Sequence, residues 1–104
     1  MKNNFNFFLI FFILINFVIL PVKSDSKLDI GKEVFLTNCS ACHILADAGS
    51  DGQIGPNLNE IRPDITRVIY AVTNGIGVMP SFEGQITSDE IDAVSYYVSI
   101  NVEK

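Results

Sequence analysis

The chain has 104 residues, of which 48% are hydrophobic, and it carries seven Lys and Arg against twelve Asp and Glu, for a formal net charge of -5. This length allows one domain. The basic residues form no cluster, which argues against a nucleic-acid partner, because phosphate binding needs clustered Lys and Arg.

The first 24 residues differ from the rest of the chain and predict a secretory signal peptide. Lys2 gives a positive start, and residues 5–20 are almost wholly apolar. Val22 and Ser24 are small enough for the pockets of a signal peptidase, so we expect cleavage after Ser24. The alternative is an uncleaved anchor, but an apolar run of this length that contains two asparagines falls short of the roughly 20 residues that span a bilayer.

Residues 25–104 then form the folded domain, which is acidic. They keep five of the seven basic residues and all twelve acidic ones, so the formal net charge is -7. Phe35, Phe82 and three tyrosines are the aromatic side chains of this part, and tryptophan is absent. A domain of this size with so few large side chains usually needs additional stabilisation, by a disulfide, a metal or a large cofactor.

The first predicted helix runs from Asp29, a candidate N-cap, to about Asn38. Ile30, Val34 and Phe35 fall on one face at helical spacing. The helix leads directly into the cysteine-containing segment.

That segment, Cys39-Ser40-Ala41-Cys42-His43, is a C-x-x-C-H motif. At this spacing two thiols add to the two vinyl groups of a haem, and the adjacent histidine lies under the iron. The motif therefore predicts covalent haem attachment through Cys39 and Cys42, with His43 as an iron ligand.

Three other interpretations of the cysteine pair compete with haem attachment. A structural disulfide is compatible with an oxidising compartment, and a thioredoxin-like redox pair also uses C-x-x-C. No β-rich segment precedes the motif, which argues against the redox pair. A zinc site would need a carboxylate to complete four ligands, because residues 25–104 offer two cysteines and one histidine.

Residues 44–62 predict a long irregular loop, because glycines and short polar residues alternate there without a helical stripe. Such a loop normally needs something to wrap around. Within it, Pro56 follows Gly55 and its carbonyl is free to accept a hydrogen bond from His43, as metal-bound histidines usually require. Candidate wall residues, which serve equally well as ordinary core, are Leu45, Ile54, Leu58 and Ile61.

A middle helix is predicted from the N-cap Asp64 to Asn74-Gly75, and a loop that contains Met79 follows it. Met79 is the one methionine after residue 24. A core role is the alternative, but its place in a loop rich in Gly and Pro favours an iron ligand, since a thioether suits low-spin iron. One of the two arginines, Arg62 or Arg67, is a candidate partner for a haem propionate, but a solvated position is favoured for both.

The last predicted helix begins with a capping box, in which Thr87 and Glu90 satisfy each other's backbone N–H groups, and it runs to about Val102. Gly31 in the first helix permits a close crossing with this helix, with Tyr97 against Phe35. We expect essentially no sheet, because no segment alternates with a period of two.

The three motifs, in this order, resemble class I c-type cytochromes: Cys39-Ser-Ala-Cys42-His43, Gly55-Pro56-Asn57-Leu58 and Val78-Met79-Pro80-Ser-Phe82. The resemblance covers nearly all of residues 27–102. It implies an all-α cytochrome c fold with three main helices and irregular loops around one covalent haem c. It also implies His43 and Met79 as axial ligands of the iron, with the Pro56 carbonyl as the partner of the histidine.

The function implied is that of a monohaem electron carrier, not an enzyme, in the periplasm or a thylakoid lumen. The acidic charge predicts a monomer that meets redox proteins with basic docking patches. A quinol-cytochrome c reductase or a dehydrogenase is the expected kind of donor, and a terminal oxidase or reaction centre the expected kind of acceptor. Stable membrane insertion after cleavage is not expected. Two alternatives are the haem subunit of a periplasmic dehydrogenase complex and a membrane-tethered cytochrome.

Overall fold

The computed structural model describes residues 26–103, so the predicted signal peptide lies outside the described residues. The all-α prediction is confirmed for this part of the chain, with one small addition, a pair of two-residue strands. None of its helices is long and apolar enough to cross a membrane. The elements in chain order are α1 (Ser26–Asn38), β1 (Ile44–Leu45), β2 (Ser50–Asp51), α2 (Leu58–Ile61), α3 (Ile65–Asn74) and α4 (Ser88–Asn101).

The first and last helices cross in close contact, as the glycine at position 31 led us to expect. A Cβ atom at Gly31 would collide with the backbone carbonyl of Ala93 and lie 2.6 Å from the Cβ of Tyr97. Phe35 and Tyr97 pack with ring centroids 6.1 Å apart at a tilt of 56°, an arrangement that aromatic pairs favour. Only glycine at position 31 allows the backbones of the two helices to come this close.

The predicted caps of α3 and α4 are present. The Asp64 side chain accepts from the backbone N–H of Arg67, and Thr87 and Glu90 form the reciprocal capping box. The predicted start of α1 was wrong, because the helix begins at Ser26 and Asp29 lies inside its first turn. There the carboxylate interacts favourably with the positive end of the helix dipole.

The loop over residues 44–62 contains more regular structure than the sequence predicted. β1 and β2 pair antiparallel, a 3-10 turn at Ala46–Ala48 joins them, and Gly49 adopts a φ of 63°. The Ser50 hydroxyl donates to the His43 carbonyl at 2.9 Å and accepts from the Leu45 N–H at 2.9 Å. This hairpin corrects the expectation of essentially no sheet, and it fixes the chain that leaves the cysteine motif.

A polar contact joins this hairpin to the helix crossing. The Tyr97 hydroxyl donates to Asp47 Oδ2 at 2.6 Å, and Lys32 Nζ lies 3.8 Å from the same oxygen. Tyr97 itself is 2% exposed. Burial and then the Asp47 carboxylate raise the pKa of Tyr97 well above its ordinary value of 10.0.

Candidate functional site

A cavity of about 450 Å³ lies between the end of α1, the segment 54–63, α3, the loop after it and one face of α4. This volume is in the range of pockets that hold cofactors, about 300 to 1,000 Å³. Its lining is largely apolar. All five predicted site residues contribute to that lining: Cys39, Cys42, His43, Pro56 and Met79.

The end of α1 presents the cysteine motif to the cavity. The backbone N–H of Cys39 donates to Phe35 at 2.8 Å, and the N–H groups of Cys42 and His43 donate to the Cys39 carbonyl at 3.1 and 3.0 Å. These bonds continue the helix as tight turns. As a result both thiols and the imidazole lie on the wall of one cavity, close to the buried ring of Phe35.

His43 is oriented by the predicted hydrogen bond. Its Nδ1 lies 2.8 Å from the Pro56 carbonyl oxygen. Because a carbonyl only accepts, Nδ1 carries the proton and Nε2 keeps a lone pair for a metal ion. A Cβ atom at Gly55 would lie 2.6 Å from the Cε1 atom of His43, so only glycine leaves room for the ring.

Met79 is placed by a tight turn after α3. The N–H of Ile76 donates to Met79 at 3.1 Å, and the N–H of Met79 donates back to Ile76 at 2.9 Å. Gly77, inside the turn, has a φ of 56°, and Gly75 before it has a φ of 75°. This turn places Met79 half-buried against the cavity, which agrees with the loop that the sequence predicted.

Cys39 and Cys42 form no disulfide with each other. Burial, with a smaller contribution from Cys42, raises the pKa of Cys39 to about 12. The unmodified Cys39 side chain is therefore a neutral thiol at pH 7 and packs as a small apolar side chain of the wall.

Three of the four predicted wall residues lie in the lining, namely Ile54, Leu58 and Ile61. Leu45, in β1 of the hairpin, does not, because it is 0% exposed within the protein core. This is the ordinary core position that the sequence analysis gave as the alternative. The hydrophobic pattern of the loop gives no indication of which side of the loop Leu45 faces.

The α3 helix contributes lining residues that the sequence did not assign to the site. Val68, Ala71 and Val72 lie there. Arg67 joins them and is also exposed, in agreement with the solvated position that was expected. Helical spacing indicates which residues share a face, but it does not indicate which helix faces border a cavity.

Comparisons with known proteins agree with this geometry. The family described as "Cytochrome C oxidase, cbb3-type, subunit III" matches residues 26–98. A cytochrome c6 from Gracilaria tenuistipitata var. liui is 35% identical over 94% of this chain and 93% of its own length. A cytochrome c6 from Leptolyngbya boryana is 33% identical over 71% of this chain and 92% of its own length.

A solved structure is also similar. The crystal structure of the c-type cytochrome SorU from Sinorhizobium meliloti matches 78% of this chain and 97% of its own, with 49% identity and a TM-score of 0.73. The all-helical fold, the C-x-x-C-H motif on an apolar cavity and these relatives lead to one conclusion. The chain belongs to the c-type cytochrome family that these proteins share, as a small class I cytochrome with one covalent haem c that transfers electrons.

Proposed function

We propose that this chain is an exported electron shuttle in which His43 and Met79 are the axial ligands of a haem c attached through Cys39 and Cys42. The observation that carries the proposal is that these side chains and the Pro56 carbonyl border the same apolar cavity. The lining fits the group, because two thiols, an imidazole and a thioether are the functional groups that attach haem c and ligate its iron.

Each residue has a distinct role in this proposal. When bound, haem c supplies a one-electron Fe(II)/Fe(III) couple. The cysteines hold the group covalently, and the Pro56 carbonyl fixes the imidazole orientation of His43 and raises its basicity. Met79 would supply the second iron ligand, a thioether, and a fully ligated iron would favour electron transfer over oxygen chemistry.

A titration of the purified holoprotein tests this assignment. The absorption spectrum is recorded while the potential is stepped through the midpoint, and the oxidised form is examined for a sulfur-to-iron charge-transfer band. We expect one n = 1 wave and the band. Met79→Leu should abolish the band and lower the potential, whereas Met79 is not the ligand if the band persists in this variant.

The surface around Met79 is the proposed docking area for redox partners. Val78 is 88% exposed and Ile76 is 58% exposed, and both also line the cavity. Phe82, further along the same loop, also lines the cavity but is buried at 8% exposure, so it is not part of this exposed patch. A small apolar patch of this kind suits the brief encounters of electron transfer.

The acidic charge of the chain supports partners with basic docking patches. Attraction between opposite charges raises the association rate, and salt screens it. Stopped-flow reduction by a basic redox partner should therefore slow as ionic strength rises. A rate that stays constant between low and high salt would contradict the electrostatic part of the proposal.

Export to the periplasm, or to a thylakoid lumen, rests on the predicted signal peptide. N-terminal sequencing of the protein purified from its native compartment should give Asp25 as the first residue. Residues 1–24 retained on a protein in the membrane fraction would support the tethered alternative instead.

A further inference from the structure

Tyr97 is a buried phenol whose hydroxyl is bonded to a base. Its side chain is 2% exposed, and the hydroxyl donates to Asp47 Oδ2 at 2.6 Å, a length typical of a strong hydrogen bond to a carboxylate. Burial and the neighbouring carboxylate raise the pKa of Tyr97, so the phenol stays protonated at neutral pH. Its proton is therefore in place for transfer to Asp47.

The Tyr97 ring also lies close to the cavity, although it does not line it. Its centroid is 6.1 Å from the centroid of Phe35, which does line the cavity. Val94 and Val98, on the same helix as Tyr97, line the cavity as well. Electron tunnelling weakens steeply with distance, and this packing leaves a single side chain between the Tyr97 ring and the cavity.

The other two tyrosines of residues 26–103 are less suited to lose an electron. Tyr70 is 63% exposed, and no described carboxylate accepts a hydrogen bond from its hydroxyl. Lys27 Nζ lies 4.9 Å from the centre of the Tyr96 ring, where its positive charge opposes the removal of an electron. The chain has no tryptophan. Tyr97 is therefore the aromatic side chain in this part of the chain that best supports one-electron oxidation.

We propose that Tyr97 and Asp47 form a proton-coupled redox site, which accepts an oxidising equivalent from a diffusible one-electron oxidant and passes it to the cofactor in the cavity. In the first step, Tyr97 loses one electron to the oxidant and its phenol proton to Asp47, which leaves a neutral phenoxyl radical beside a carboxylic acid. In the second step, the radical takes one electron from ferrous haem c and the proton back from Asp47, which restores the phenol and the carboxylate. The oxidant gains one electron and the haem iron loses one.

The second step rests on the proposed function, since it takes haem c as the occupant of the cavity. The first step depends only on Tyr97 and Asp47. Through the two steps together, a reduced carrier would remove an oxidising equivalent that reaches the protein, before that equivalent damages other side chains.

The hydrogen bond makes Asp47 the proton acceptor in the first step. A phenol that has lost an electron is a much stronger acid than the neutral phenol, so its proton leaves when a base is in contact. Without that base a positively charged radical would remain in the core, where an unpaired charge is costly. After transfer to Asp47 both members of the pair are neutral, so no charge is created beside the buried ring.

Lys32 is the other charged group at this pair. Its Nζ lies 3.8 Å from Asp47 Oδ2, and its positive charge favours the carboxylate over the acid, which opposes the proton transfer. Solvent screens this effect, because the side chains of Lys32 and Asp47 are 47% and 27% exposed. The same exposure gives a diffusible oxidant access to the pair at the hairpin.

The experiment uses full-length holoprotein and photogenerated tris(bipyridine)ruthenium(III) as the one-electron oxidant. Freeze-trapped samples are examined by electron paramagnetic resonance for the phenoxyl radical, first with ferric and then with ferrous protein, and haem oxidation is followed by absorption. The variants are Tyr97→Phe, Asp47→Asn and, as the matched control, Tyr70→Phe. Asp47→Asn keeps a hydrogen-bond acceptor of the same shape but removes the base.

Tyr97→Phe should lose the main radical signal, and Tyr70→Phe should keep it. Asp47→Asn should slow radical formation by about 100-fold, since a positioned base typically contributes that much or more. A main signal that survives in Tyr97→Phe, or equally fast formation in Asp47→Asn, would overturn the site. If Asp47→Asn does not accumulate, wild-type protein in D₂O replaces it, where formation should be slower and an equal rate would overturn proton coupling.

The second step has its own measurement. In ferrous wild-type protein the radical should decay faster than in ferric protein, with a phase of haem oxidation at the same rate that is absent in Tyr97→Phe. A radical lifetime that does not depend on the state of the haem would overturn the transfer to the cavity. Wild-type protein without the sulfur-to-iron band refutes the axial ligation of the proposed function, an outcome independent of the radical measured in ferric protein.

Discussion

The crossing of α1 and α4 and the loops around the cavity bury their apolar side chains to very different extents. At the crossing, Phe35 is 0% exposed and Tyr97 is 2% exposed. Around the cavity, Ile54 is 72% exposed and Val78 is 88% exposed, although both line it. The protein's own side chains therefore complete the core in one region and leave it incomplete in the other.

This difference explains how a domain of this size is stable with few aromatic residues. At the helix crossing, Gly31 lets the two backbones approach closely, so that Phe35 and Tyr97 are buried together with the valines of α1 and α4. The loops around the cavity form turns through glycines and backbone hydrogen bonds. Their aliphatic side chains face the cavity, so a bound cofactor of matching shape and polarity would complete the core there. Substitutions in the two regions should thus have separable effects on stability and on the haem spectrum.

Removing the cofactor should have the largest effect. The double variant Cys39→Ala/Cys42→Ala cannot attach haem c, so the side chains around the cavity stay exposed to water. Each large aliphatic side chain left uncovered costs about 1.5 to 3 kcal/mol, and several are involved. We expect the free energy of unfolding to fall by about 5 kcal/mol or more, which is comparable to the whole stability of a typical domain.

Amide hydrogen exchange shows which parts of the chain lose stability in this variant. The N–H groups of Gly55 and Met79 should lose protection first, and those of α1 and α4 should keep the most. Ser40→Ala, a change inside the motif that keeps both cysteines, is the control and should retain the haem. Equal loss of protection in both regions would show that the crossing is not independent of the cofactor.

Gly31→Val should have the next largest effect, on stability alone. A side chain there collides with the carbonyl of Ala93. Overpacking of this kind typically costs about 1 to 3 kcal/mol, which lowers the melting temperature of a domain of this size by about 5 to 20 °C. Glu33→Val, at an exposed position of the same helix, is the control. The haem spectrum should stay unchanged, and an unchanged melting temperature would reject the close crossing.

Gly55→Ala should affect the spectrum as well as the stability. The added Cβ lies 2.6 Å from the His43 ring, so the ring must move away from the Pro56 carbonyl. We expect a loss of about 1 to 2 kcal/mol and a shift of the midpoint potential, because the orientation and basicity of the imidazole change.

The matched control for Gly55→Ala is Gly49→Ala. Its φ of 63° makes alanine unfavourable by about 1 to 2 kcal/mol, but nothing lies within 4 Å of the added Cβ. This variant should lose stability with the spectrum and potential unchanged. A spectrum shifted equally in both variants would mean that general loosening, not contact with His43, is responsible.

Most of the features that the sequence predicted correctly depend on neighbours in the chain. The capping box of Thr87 and Glu90 and the cap at Asp64 involve residues three apart, so sequence spacing determines them. Two contacts between distant residues were predicted as well. They are the His43 contact with Pro56, because a metal-bound imidazole needs an acceptor, and the close helix crossing at Gly31.

The features that the sequence missed depend on which elements meet in space. The sequence left open whether Leu45 is a cavity wall or ordinary core, and it lies in the core. It also missed α2, which has only four residues, too few to show a helical period. The α3 residues that line the cavity were not assigned to the site either. Hydrophobic spacing predicts that a residue is buried, whereas its partner is set by the packing of the whole chain.

Tyr97→Phe should have the smallest effect on the free energy of unfolding. The pH dependence of that effect distinguishes the lost hydrogen bond from other causes. The variant removes the hydrogen bond to Asp47 and keeps the ring against Phe35, so we expect a loss of about 1 kcal/mol at pH 7.

The folded-state pKa of Tyr97 lies above its ordinary value of 10.0, so the neutral phenol contributes stability that is fully present below pH 10. This contribution disappears as pH rises further, because the unfolded chain ionises there first. The denaturant-derived free energy of the wild type should therefore fall toward that of the variant above pH 10. Parallel curves across this range would show that the phenol hydrogen bond does not tie the hairpin to the helix crossing.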